Sequence, residues 1–211
     1  MPARVCSQNV LCATINLTLT AMETLTAIFG SAAKVKLLRL FLFNPSTAFS
    51  ARDIVARTKC RSAAIGKEIN LLVRTDVIRK RHGAKSTVYS LNDKFPYLEP
   101  LKNLLTVASI KADESLAKRF NSVGKVKLIV AAGVFIQNWD SRIDLLIVGD
   151  DLNIRKIETI IKTIESEIGK EIAYSAFETA DFEYRMGIHD RLVRDILDYP
   201  HVALLDRLGV L

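Results

Sequence analysis

Residues 50–91 read SARDIVARTKCRSAAIGKEINLLVRTDVIRKRHGAKSTVYSL, and the order of signals in this stretch decides the fold of the N-terminal half. Ser50 is a good N-cap, and Asp53 follows three residues later in a near capping box, so a short helix is predicted to start at Ala51. Ile54 and Val55 give that helix its buried face. After Thr58-Lys59-Cys60 a second helix is predicted over Ser62–Arg74. Its Ile65, Ile69 and Leu72 fall at i, i+4 and i+7 and therefore share one side. Gly66 weakens this helix by roughly 1 kcal/mol relative to Ala, which core packing of the isoleucines must offset. Val77-Ile78 then opens a strand, Arg79 to Lys85 form a basic hairpin around Gly83, and Thr87–Leu91 returns.

The charge distribution follows the same segment. Residues 30–95 hold 14 Lys and Arg against 4 Asp and Glu, whereas residues 96–211 hold 15 against 18. The net charge of +7 is therefore a property of one region, as for a nucleic-acid footprint confined to part of a chain. On the second helix the outward residues are Arg61, Ala63, Ala64, Gly66, Lys67 and Asn70, with Ser62 and Arg74 at its ends. Small outward residues let a helix sit deep in the major groove, where Lys67 and Asn70 could read base edges or bind phosphate. The competing reading is an ordinary solvated face. Arg79, Lys80, Arg81, His82 and Lys85 suit phosphate contacts that position a duplex without reading its sequence. His82 is a polar loop residue or a phosphate donor, because no partner lies at metal-ligand spacing.

Upstream, Ala32–Phe43 is predicted to be a helix from Val35, Leu37, Leu38, Phe41 and Leu42, ended by Asn44-Pro45. With this helix in front, residues 30–95 resemble the winged helix-turn-helix of small bacterial and archaeal regulators of the ArsR and MarR type. The resemblance implies a recognition helix at Ser62–Arg74 and a wing at the hairpin. It says little about which DNA site is bound.

Size and composition set the outer limits. With 211 residues there is room for two modest domains, and the apolar (49%) and charged (25%) fractions are those of an ordinary globular chain. No stretch approaches the ~18 uninterrupted apolar residues of a membrane helix. The apolar run in residues 1–21 is broken by Ser7, Gln8, Asn9, Thr14, Asn16 and Thr18, so this segment is read as a flexible extension rather than a secretory signal. Cys6, Cys12 and Cys60 are odd in number and complete neither a disulfide framework nor a zinc spacing. Cys60 is expected to be a buried reduced thiol, and a cytoplasmic location follows by default.

Beyond Phe95-Pro96, residues 97–123 are expected to connect two domains through a long helix, Leu101 to about Phe120, which could also pair two copies of the chain. Val126–Ala132 and Ile143–Val148 are near-continuous apolar strands, expected to be covered by helices on one or both faces. Asn153–Ile168 is an amphipathic helix with Ile154, Ile157, Ile160, Ile161, Ile164 and Ile168 on one side, stopped at Gly169. A third strand over Glu171–Phe177 and helices near Thr179–Met186 and Asp190–Leu197 complete the unit.

Gly133, a loop, and then Ser141-Arg142-Ile143-Asp144 leading into Leu145–Asp150 resemble the core of the polymerase-beta type of nucleotidyltransferase. That resemblance implies a glycine-serine pair after the first strand and two carboxylates that hold Mg²⁺ on nucleotide phosphates. The departures from it are specific. Val134 stands in place of the serine, Arg142 in place of the first aspartate, and Asp144 alone matches the second. Glu171 is the nearest candidate for a remaining acid. A guanidinium is always charged and repels Mg²⁺, so Arg142 is expected to pair with Asp144 or Asp140, or to bind an anion. Trp139 is read as packing on its own domain or stacking on a base. His189 and His201 have no nucleophile signature beside them.

The sequence reading is therefore an α+β chain. Residues 22–96 form a winged helix, 97–123 a connecting helix, and 124–211 a nucleotidyltransferase-like α/β domain with a small mixed sheet. The expected function is a DNA-binding transcriptional regulator that is not an enzyme, with no cofactor and no metal site. Double-stranded DNA is its expected partner. A homodimer and a nucleotide or anion effector at Gly133, Arg142 and Asp144 remain open. The alternatives are an active template-independent nucleotidyltransferase and an antitoxin-like protein-interaction module.

Overall fold

The computed structural model describes residues 21–83, 86–107, 114–138 and 141–211. Among them the chain is a mixed α+β structure with two small sheets. Its apolar side chains gather into one core drawn from residues 25–105 and two smaller cores drawn from residues 116–196.

The N-terminal half runs α1 (Ala21–Phe29), α2 (Ala32–Leu42), β1 (Phe49–Ser50), α3 (Ala51–Thr58), α4 (Ser62–Arg74), β2 (Ile78–His82) and β3 (Thr87–Leu91). The local signals in the sequence act where they stand. Ser50 Oγ accepts from Asp53 N at 3.2 Å while Ser50 N donates to Asp53 Oδ2 at 3.1 Å, so the capping box is closed on both sides. Lys59 takes up a left-handed conformation (φ 52°) that ends α3 and turns the chain into α4. Ile65, Ile69 and Leu72 are buried, as their spacing required. The three strands form an antiparallel sheet in the order β1-β3-β2. Arg79 to His82 lie in strand β2 rather than in the hairpin turn, because Arg79↔Ser90 through His82↔Thr87 pair in register. The turn is closed by Gly83 N donating to Ser86 O at 3.0 Å.

Within the connection the described residues begin their helix earlier than Leu101. Helix α5 spans Leu98–Val107 and α6 spans Glu114–Lys118, with residues 108–113 outside the described set. Helix α5 starts three residues before Leu101, with Pro100 inside its first turn. A proline is tolerated there because its missing N–H would have had no helical acceptor. After Lys118 the chain turns, with Phe120 N on Ala117 O at 3.0 Å, and buries Leu116 and Phe120 in the second core.

The C-terminal half contains β4 (Lys125–Ala131), a 3₁₀ turn at Gly133–Ile136, β5 (Leu145–Asp150), α7 (Ile154–Ile168), β6 (Tyr174–Glu178), α8 (Thr179–Gly187), α9 (Arg191–Leu197) and β7 (Val202–Asp206). The sheet order is β6-β5-β4-β7, with β5 and β6 parallel across the α7 crossover and the other pairs antiparallel. Alternate residues of β4 and β5 serve opposite faces. Ile129, Ala131, Leu145 and Ile147 meet α6 and α7, and Leu128, Val130, Leu146 and Val148 meet α8 and α9. This double cover is why both strands read as continuous apolar runs. Ile154 alone of the six isoleucines of α7 is exposed, since it precedes the turn that reaches the sheet. The third strand begins at Tyr174 rather than Glu171, because Ile172 N is drawn back to Glu165 Oε1 (2.9 Å).

The two halves meet where α2 and α3 lie across the C-terminal end of α7. Arg39, only 1% exposed, donates from Nη1 to Glu167 O at 2.6 Å. Asn44 Nδ2 donates to Gly169 O at 2.7 Å, and Lys36 Nζ to Ser166 Oγ at 3.2 Å. Burial pulls the Arg39 guanidinium down to about 10 despite the opposing pull of Glu167. The final carbonyls of a helix carry partial negative charge and lack intrahelical donors, so they are good partners for a buried cation. Gly169 has φ +85°, and a Cβ there would lie 2.6 Å from the Arg39 carbonyl carbon and 2.7 Å from Leu40 N. Its position thus serves the helix stop and also the close approach of α2.

Candidate nucleic-acid interface

Helix α4 exposes Arg61, Ser62, Ala63, Ala64, Gly66, Lys67, Asn70 and Arg74. Its only carboxylate, Glu68, is 7% exposed and turned inward to Lys34 Nζ at 3.6 Å. The outward face of α4 therefore carries cations and an amide with no acid among them. Arg61 at the N-cap position makes no side-chain cap bond, so the first-turn amides are not closed by a capping group.

Strand β2 is an edge strand, and Arg79, Lys80, Arg81 and His82 are all exposed. Alternation along the strand sends Arg79 and Arg81 to one face and Lys80 and His82 to the other. His82 Nδ1 is held by Thr87 Oγ1 across the hairpin at 3.3 Å, so its ring is positioned by the strand pairing. Lys85 lies outside the described residues. The remaining candidates fall on two neighbouring elements, since β2 follows α4 after a three-residue turn in which Val77 N donates to Leu72 O at 3.0 Å. Cys60 is half-buried, and its thiol donates to Thr58 O at 3.5 Å.

The second candidate site separates into parts with different partners. Asp144 is 8% exposed. Its Oδ1 accepts from Val134 N at 2.8 Å and its Oδ2 from Ala173 N at 2.9 Å. The carboxylate thus ties the 3₁₀ turn and the approach to β6 onto the start of β5. Gly133 has φ +51°, and a Cβ there would run into the Asp144 carboxylate. That contact explains the glycine without a bound phosphate.

Arg142 does not pair with Asp144. It is exposed and reaches Asp195 Oδ2 on α9 at 3.1 Å. Asp140 and Trp139 lie outside the described residues. Glu171 is also elsewhere, on Arg57 at 2.7 Å across the contact between the two halves. Arg142, Arg191 and Asp195 instead share an open pocket of about 350 Å³ with Asn138, Ser141 and Tyr199. Among the described residues no group of three or more His, Cys, Asp or Glu side chains is arranged to hold a metal ion, and no helix is long and apolar enough to cross a membrane.

Comparison of the chain with family models, with curated proteins and with solved structures found no match.

Proposed function

We propose that this chain is a DNA-binding regulator whose residues 22–96 form a winged helix, with α4 as recognition helix and β2–β3 as wing. The observation that carries this reading is the acid-free outward face of α4 beside an edge strand with four exposed basic or imidazole side chains. Inward placement of Glu68 matters most, since a carboxylate on the groove-facing side would oppose phosphate. In this reading Lys67 and Asn70 meet base edges, while Arg61, Arg74, Arg79, Lys80 and Arg81 meet the backbone.

Residues 124–211 are proposed to be a nucleotidyltransferase-like unit that has lost its chemistry and serves as a support or sensor. Two findings support that part. Both oxygens of Asp144 are already engaged by backbone amides, and Arg142 and Glu171 are engaged elsewhere. A cytoplasmic location belongs to the same reading.

The test is binding of the full chain to random-sequence duplex DNA, titrated with salt. Lys67→Ala and the pair Arg79→Ala, Arg81→Ala are compared with the parent. The pair is expected to lower the slope of log affinity against log salt by about two. Unchanged affinity and slope in both variants would remove α4 and β2 from the interface. Mg²⁺-dependent transfer of a labelled nucleotide, lost in Asp144→Ala, would overturn the non-enzymatic part.

A further inference from the structure

We infer that the duplex-contacting surface does not end at α4 and β2 but continues onto the outer face of α7, which takes the phosphate backbone flanking the bound site. This inference rests on the DNA-binding reading and extends it to the other half of the chain.

Helix α7 turns Ile157, Ile161, Ile164 and Ile168 to the sheet. Arg155, Thr159, Lys162 and Thr163 are therefore left on the opposite, exposed side, at steps of four, three and one. Thr159 Oγ1 donates to Arg155 O at 2.8 Å and Thr163 Oγ1 to Thr159 O at 2.9 Å. Lys59 Nζ then donates to Thr163 Oγ1 at 3.1 Å. Lys59 precedes the first residue of α4 by only three positions. The α7 face thus begins one lysine side chain from the N-terminal end of the helix proposed to enter the groove.

From Arg155 to Thr163 the helix rises ~12 Å. One strand of a duplex passes three to four phosphates over about that axial distance.

Several cations of the acidic C-terminal half are neutralised locally: Lys125 by Asp151, Lys127 by Asp150, Arg185 by Asp181 and Arg194 by Asp198. Arg155 and Lys162 form no such pair among the described residues. Glu158 stands three residues after Arg155 and four before Lys162, so it borders this face, and its charge also helps to raise the Tyr174 phenol, after burial. Arg155 and Lys162 with two threonine hydroxyls, contiguous with the proposed interface and inside a net-negative region, fit a polyanion that spans both halves.

The experiment uses the full chain, a labelled random-sequence 30-base-pair duplex and a salt titration. Arg155→Gln with Lys162→Gln is expected to lower the salt slope by close to two and to weaken binding on the order of tenfold or more near 0.1 M salt. Arg155→Lys with Lys162→Arg is expected to keep the parent slope. Parent-like slope and affinity in the glutamine variant, while Lys67→Ala weakens binding, would overturn the α7 surface and leave the winged-helix reading standing. A parent chain that binds no duplex would remove both.

Discussion

Replacing Gly169 by Ala isolates the contact between the two halves in a single methyl group. The glycine stands at φ +85°, where a side chain costs about 1–2 kcal/mol in backbone conformation alone. The added Cβ would also sit 2.6–2.8 Å from the Arg39 carbonyl carbon, Leu40 N and Arg39 Cβ. Carbon atoms in contact prefer about 3.5–4.0 Å, so α2 and the end of α7 must separate by close to 1 Å. The atoms struck belong mainly to the backbone of a buried helix and cannot rotate away. Overpacking of this kind adds about 1–3 kcal/mol. Separation also stretches the bonds from Arg39 to Glu167 O (2.6 Å) and from Asn44 to Gly169 O (2.7 Å). The total expected loss is about 2–5 kcal/mol, or roughly 4–20 °C in melting temperature for a chain of this size. The matched control is Gly66→Ala on α4, where nothing lies within 4 Å of the new Cβ. That change is expected to stabilise by up to about 1 kcal/mol. Urea and thermal unfolding followed by circular dichroism read both. A Gly169→Ala variant within 0.5 kcal/mol of the parent (about the noise of such measurements) would refute the close approach of α2.

Three further outcomes follow from particular residues. Asp144→Asn keeps one acceptor but turns an amide N–H₂ toward a backbone N–H, so it is expected to cost about 1–3 kcal/mol in urea unfolding; a neutral result would mean that the bonds to Val134 and Ala173 do little. At Asp206, partial burial works to raise the carboxyl, but the amides of Leu211, Gly209, Leu208 and Val210 outweigh it and hold the group below its usual range. A depressed carboxylate contributes stability that is present above its unfolded value of 3.8 and is lost as pH falls through the lower folded value, so Asp206→Asn is expected to flatten the acid limb of the stability curve below pH 3.8. Asp53, lowered first by the Ser50 hydroxyl and then by the Ser50 amide, acts in the same window. Ser50→Ala is expected to lose about 1 kcal/mol of cap stability, checked by unfolding near neutral pH, and equal stability would refute the cap's role.

Much of the N-terminal half was legible because its determinants are local. The capping box at Ser50–Asp53, the buried steps of Ile65, Ile69 and Leu72, and the return strand at Thr87–Leu91 each depend on residues within a few positions. Helix α1 and strand β7 are not legible in the sequence. The first is a short stretch that borders the polar-interrupted N-terminal segment, and the second is a five-residue strand that acquires its role only by pairing with β4. Helix α5 starts before Leu101 because position within the first turn decides whether a proline breaks a helix, and Pro100 stands in that turn.

By itself the sequence determined most of the elements, the two apolar faces of β4 and β5, the concentration of positive charge in residues 30–95, and the outward set on α4. These are consequences of periodicity and composition, which a linear chain carries openly. Only the tertiary structure decided which charges meet. Glu68 turned inward to Lys34, Arg142 went to Asp195 rather than Asp144, Glu171 to Arg57, and Arg39 in an apolar helix found the carbonyls at the end of α7. Partners 34 to 128 residues apart leave no periodic trace, because a long side chain can choose among acceptors in any direction and packing alone selects one.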